Sequence, residues 1–184
     1  MPKIKAALAN KLKGARKIAI LGVGSEFRGD DAAGCVVSCR IRLLLAKRKA
    51  RTVNPALPRQ KYGAIGRKGG VKVFLGWTAP ENLTGQIKKF KPSHLVIIDA
   101  VDFQGRAGQV KVIDLAKDAG ASFSTHRMPF KILRDYLYQS IGCRTIIVGI
   151  QPLSVEWGFS LSPKTEEGLE AAAQEILEAC GGFA

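Results

Sequence analysis

The chain has 184 residues, 46% of them hydrophobic, and carries 29 Lys and Arg against 15 Asp and Glu, a formal net charge of +14. That length and apolar content suit a single domain, residues 1–184, with a sizeable core. No apolar run approaches the ~20 residues of a bilayer span, and the basic start MPKIKAALANKLKGARK lacks the apolar centre of a signal peptide, so membrane insertion is excluded and a cytoplasmic protein is expected.

The basic charge is unevenly placed. Residues 1–17 hold Lys3, Lys5, Lys11, Lys13, Arg16 and Lys17 with no acid, and residues 47–70 hold Lys47, Arg48, Lys49, Arg51, Arg59, Lys61, Arg67 and Lys68 with none. These two segments account for the whole excess, so the rest of the chain is neutral. A nucleic-acid role is not expected, because Tyr62 is the only aromatic of 47–70 able to stack on a base. Both segments read as solvated and partly mobile rather than as a docking surface. The four cysteines, Cys35, Cys39, Cys143 and Cys180, form no CxxC pair and read as small buried hydrophobes.

In chain order, residues 1–16 form a basic N-terminal helix with Ile4, Leu8 and Leu12 four apart. KIAILGV (17–23) is a buried strand, and a helix follows from about Asp31 to Lys47. The stretch 47–70 has Pro, Gly and charge without periodicity and reads as a basic insertion loop. VKVFLGW is a strand and APENLTGQIKKFKP a short helix with its exit. HLVIIDAVDF is an apolar strand ending at Asp99, and QVKVI (109–113) an alternating one. STHRMPFKILRDYLYQS passes from a Ser/Thr cap into a helix, and CRTIIVGIQP is a further strand. The closing helix has Ser162 as cap, Pro163 in the first turn and Gly181 past its end. Strands apolar on both faces, alternating with helices, predict an α/β three-layer sandwich with a twisted, mostly parallel central sheet and helices on both faces.

Such sheets place their sites beyond the carboxyl ends of the strands. The turn GSEFRGDDAAG (24–34) lies at such an end. It is not a dinucleotide cradle: GVGSEFRG has the first two glycines of G-x-G-x-x-G, but Phe27 stands where the third would be, and two acids crowd the helix start. Asp30 reads as the local helix cap, Asp102 as a turn residue, and His94 as structural, at the opposite end of the sheet. Asp31, Asp99 and His126 can converge at the crevice. Two carboxylates and an imidazole suit a divalent transition metal, and equally suit general acid–base work.

LGVGSEFRGDDAAG, GWTAPEN, HLVIIDAVDFQGRAGQ, STHRMPF and VGIQPLSVEWG occur in this order. Together they resemble the [NiFe]-hydrogenase maturation endopeptidases, most closely the type serving hydrogenase 3 of formate hydrogenlyase, over about residues 17–175. The resemblance implies a peptidase that removes the C-terminal extension from the nickel-loaded precursor of a [NiFe]-hydrogenase large subunit. It implies that Asp31, Asp99 and His126 contact nickel carried by that precursor, which need not stay bound in the free enzyme. It also departs from the family pattern, with Ser25 in place of Asn and Ala32 in place of glycine; Ser25 can still make turn hydrogen bonds. The chain carries no motif for a nucleophile, so water is the expected attacking group, with Asp31 and Asp99 acting either as metal ligands or as an aspartic-type dyad. A monomer is expected. A maturation chaperone that binds nickel or precursor without cutting it is the alternative.

Overall fold

Ile18–Val23 (β1) is buried at every position, and its side chains divide by parity between two cores. Ile18 and Ile20 enter one cluster, Ala19, Leu21 and Val23 the other, as the two-residue period of a strand requires. This strand lies at the centre of the sheet in the computed structural model, which describes residues 4–47, 64–68 (backbone only), 70–118, 121–123, 130–158 and 160–181.

The remaining strands are Ala64–Lys68 (β2), Val71–Trp77 (β3), His94–Asp102 (β4), Val110–Ile113 (β5), Ser122–Phe123 (β6) and Arg144–Ile150 (β7), and the sheet order is β2-β3-β1-β4-β7-β5. The pairs β1–β3, β1–β4 and β4–β7 are parallel, whereas β2 and β5 run antiparallel at the edges. The predicted α/β sandwich is therefore the observed one. The helices Ile4–Lys11 (α1), Ala33–Lys47 (α2) and Pro163–Gly181 (α5) cover one face, burying Leu8, Val37, Ile41, Leu169 and Ile176 against Ile20, Val96 and Val148. Thr84–Phe90 (α3) and Phe130–Ile141 (α4) cover the other, burying Ile87, Leu133 and Leu137 against Leu21, Ile97 and Ile147.

Several sequence expectations are corrected. The N-terminal segment is solvated on its basic face only: Lys5, Lys11, Lys13, Arg16 and Lys17 are exposed, whereas Ile4, Leu8 and Leu12 are buried, and Lys5 Nζ lies 2.8 Å from Glu178 Oε2 of α5. Residues 64–68 of the presumed loop form β2, because an edge strand needs only its backbone ladder and no apolar periodicity. The rest of that loop, 48–63, lies outside the described residues. β4 does not end at Asp99 but runs to Asp102, because Val101 and Asp102 find a second partner in the short β6, which periodicity alone does not reveal. A 3-10 turn, Gly29–Ala32, carries Asp31, and the α-helix itself starts at Ala33. α5 includes Gly181 rather than stopping before it. No helix among the described residues is long and apolar enough to cross a membrane.

Candidate active site

The chain leaves β1 for β3 on one side and reaches β4 on the other, so the sheet order reverses beside β1. A crevice opens at such a point beyond the strand ends. Two close approaches build it. Gly24 sits at φ 140°, and a Cβ there would meet the Asp31 carbonyl oxygen at 1.9 Å. A Cβ on Gly34 would lie 2.2 Å from the Ile98 carbonyl oxygen and 2.5 Å from that of Val23. Only glycine lets the first turn of α2 rest directly on the ends of β1 and β4.

That packing brings together Asp31 from the turn and Asp99 from β4, both with no exposed surface. The Ser25 N–H donates to Asp31 Oδ2 at 3.0 Å, and the Ala100 N–H donates to Asp99 Oδ1 at 2.9 Å. Ser25 Oγ accepts from the Phe27 N–H at 3.3 Å, the turn bond expected of it. Cys35 reports on both acids. Burial pushes its thiol well above the ordinary range, a bond to the Trp77 backbone opposes this, and electrostatic repulsion from Cys39, Asp99 and Asp31 adds to the rise. Cys35 therefore stays protonated at neutral pH and is no nucleophile. The other three thiols are buried too; burial raises Cys39, and holds Cys143 at about 11 and Cys180 at about 12. Trp77 closes the neighbouring strand end at φ 48°, a strained value for so bulky a residue, and its carbonyl accepts from the Gly24 N–H at 3.1 Å.

Asp30 is not the local cap that the sequence suggests; the 3-10 turn has no side-chain cap bond. Its carboxylate is 1% exposed and accepts from the N–H groups of Leu153, Ser154 and Ser162 at 2.7, 3.3 and 2.6 Å, and from the hydroxyls of Ser162 and Thr165 at 2.8 Å each. Burial alone would raise its pKa, but the bonds from Ser162, Leu153 and Thr165 outweigh that and hold it below the usual carboxylate value. The two adjacent acids thus face opposite tasks: Asp31 the crevice, Asp30 the loop between β7 and α5. Sequence reasoning missed this tie because its partners lie more than 120 residues away. It also missed Gln151, whose Oε1 accepts from the Phe103 and Gly105 N–H groups at 2.9 and 3.0 Å and whose Nε2 donates to Asp102 at 3.0 Å. The available signal was a polar side chain at the end of an apolar strand.

Asp102 is a turn residue as read, accepting from the Gln104 N–H at 2.9 Å. His94 is structural as read. It is buried at the strand entrance, with Nδ1 3.1 Å from Ser93 Oγ, and burial and then the Arg144 charge lower its pKa. His126 lies outside the described residues. Among the described residues no group of three His, Cys, Asp or Glu side chains is placed to hold a metal.

Fold and site together define an α/β protein with a buried carboxylate pair at the topological switch point. The HycI family model, described as hydrogenase maturation protease, matches residues 61–179. The hydrogenase 3 maturation protease of Escherichia coli K12 is 33% identical over 169 residues, covering 90% of this chain and 93% of its own. The crystal structure of a [NiFe] hydrogenase maturation protease HycI from Thermococcus kodakarensis superposes with a TM-score of 0.72 at 29% identity, over 95% of this chain and 99% of that one. The solution structure of the endopeptidase HycI from E. coli gives 0.66 at 29%, over 91% and 95%. The chain belongs to the hydrogenase maturation protease family, and is an endopeptidase. The expected resemblance holds, including its hydrogenase 3 branch.

Proposed function

We propose that this endopeptidase removes the C-terminal extension from the nickel-loaded precursor of a [NiFe]-hydrogenase large subunit, and that Asp31, Asp99 and His126 hold the nickel carried by that substrate. The observation that carries the reading is the buried pair Asp31 and Asp99 at the switch point, each oriented by a backbone N–H. Hard carboxylate oxygens with one imidazole suit a divalent transition metal.

The position of His126 in the chain supports its inclusion. Phe123 pairs with Val101, two residues beyond Asp99, and the rings of Phe123 and Phe130 stand 4.8 Å apart. In the sequence His126 stands between these two residues, three from Phe123 and four from Phe130.

The nickel would fix the scissile peptide against the crevice and polarise its carbonyl, so that a precursor without metal has no productive pose. Water adds through oxygen to the carbonyl carbon, the C–N bond breaks, and the leaving amine takes a proton. In a second version Asp31 and Asp99 act as an acid–base dyad and the metal serves recognition alone; the full burial of both carboxylates supports this version.

The test is to incubate the protein with nickel-loaded precursor and weigh the large subunit. The expected result is loss of the extension, abolished by Ala at Asp31, Asp99 or His126. Asp31→Asn separates the versions: lost docking of the nickel-loaded precursor favours ligation, whereas retained docking with lost cleavage favours the dyad. Unchanged mass with firm binding would instead make the protein a maturation chaperone. Wild-type processing by all three Ala variants would refute both roles for the trio.

A further inference from the structure

Beside the carboxylate pair, three large apolar side chains stand in solvent: Phe27 42% exposed, Leu153 58% and Trp157 85%. All three belong to the two segments that meet at the Asp30–Asp31 turn. Phe27 is two residues from Ser25, which donates to Asp31. The Leu153 N–H donates to Asp30, and Trp157 precedes Gly158, whose N–H donates to the Phe27 carbonyl at 2.9 Å.

These are not the tips of a loose loop. The segment from Gln151 to Thr165 is pinned at its start by the Gln151 side chain and at both ends by the Asp30 carboxylate. Backbone bonds add to this: the Gly29 N–H donates to the Gly158 carbonyl at 2.8 Å, the Asp30 N–H to that of Ser154 at 3.1 Å, and Arg28 Nε to that of Val155 at 3.1 Å. A charge is buried to hold this loop, yet the loop presents an indole to water. A fixed apolar surface loses little conformational freedom on binding, and exposed aromatics on rigid loops are what docking sites use.

The chemistry of the rim says what it takes. Residues 149–163 contain no Lys or Arg, and residues 22–34 only Arg28, in a chain of net charge +14. The excess positive charge is therefore carried elsewhere, and the half-buried Glu26 and exposed Glu156 beside the patch disfavour an acidic partner, so docking here rests on apolar contact.

We infer that Phe27, Leu153 and Trp157 form a rigid platform on which an apolar stretch of the precursor, free of acidic residues, docks next to the scissile bond. This rests on the endopeptidase reading above. The platform positions the substrate and takes no part in bond breaking, so its loss acts on binding in ground and transition states alike.

The experiment is steady-state processing of nickel-loaded precursor. Trp157→Ala should raise KM about 30-fold, the cost of truncating a central aromatic anchor, with kcat within about twofold. Trp157→Phe should restore most of the loss, and Leu153→Ala and Phe27→Ala should each give a smaller rise. Raising ionic strength should leave the wild-type KM nearly unchanged. Because these side chains are exposed, circular dichroism and thermal unfolding should match the wild type. An unchanged KM in the Trp157→Ala, Leu153→Ala double variant, while the wild type cuts normally, overturns the platform and leaves the enzyme reading intact. If the wild type leaves the precursor whole, that reading fails, and direct binding of precursor to the wild-type protein and to Trp157→Ala still judges the platform: equal affinity overturns it.

Discussion

Asp30 and Asp31 are neighbours in sequence, yet they serve different parts of the molecule. The Asp30 carboxylate is the single acceptor for donors from Leu153, Ser154, Ser162 and Thr165. Asp30→Ala should cost about 3–5 kcal/mol, because several buried donors lose their partner at once. Chemical denaturation at pH 7 measures this. The pH dependence follows from the lowered pKa. The folded protein holds the proton more weakly than the unfolded chain, whose Asp titrates near ~3.9. The stabilisation is therefore complete above that value and is lost as pH falls through the lower folded pKa. Denaturation at pH 7, 4 and 3 should show this acid loss in the wild type and less of it in Asp30→Asn. No local pattern separates Asp30 from Asp31. Both are acids in one turn, and only the fold determines which meets the distant loop and which is buried beside the strand ends.

At the scale of elements, the contact of α2 with the strand ends decides the crevice. Gly34→Ala would drive a methyl group into the carbonyls of Ile98 and Val23. It should destabilise the fold by about 1–3 kcal/mol as overpacking. Processing should fall further, on the order of 100-fold in kcat, because Asp31 and Asp99 are moved relative to each other. Comparison of the melting curve with single-turnover cleavage tests this; activity falling no more than stability would show the crevice tolerates the shift. The N-terminal helix offers a second check. Leu8 is fully buried, so Leu8→Ala should cost about 3 kcal/mol, measured by urea unfolding. A surface helix would lose almost nothing. The spacing of Ile4, Leu8 and Leu12 is legible in the sequence. Its target is not, because the charge around those residues masks an apolar stripe that only α5 and the sheet complete.

Over the whole molecule, a formal charge of +14 opposes compaction. The described ion pairs are mostly exposed, as with Lys5 and Glu178, whose side chains are 50% and 39% exposed, and such pairs contribute little. Added salt should therefore stabilise the protein. Raising sodium chloride from low to near-physiological strength should gain on the order of 1 kcal/mol, about 2–4 °C in melting temperature, by screening self-repulsion. A melting temperature that falls with salt would mean that attractive pairs dominate instead.

What the sequence determined by itself were the layers and their order. Runs such as IAILGV and HLVIIDA are apolar on both faces, which only a strand covered on both sides can satisfy, and the helices between them impose a parallel sheet. It also marked Asp31 and Asp99 as candidates, since acids beside the ends of buried strands stand out against their surroundings. Tertiary structure alone decided the edge strand β2, the short strand β6, the extension of β4 past Asp99, and the Asp30 and Gln151 anchors that hold the Trp157 loop beside the crevice. The physical reason is one of range. Burial patterns and turn residues act over a few positions and are written locally, whereas a ladder bond or a buried carboxylate needs a partner that the chain supplies only after it has folded back on itself.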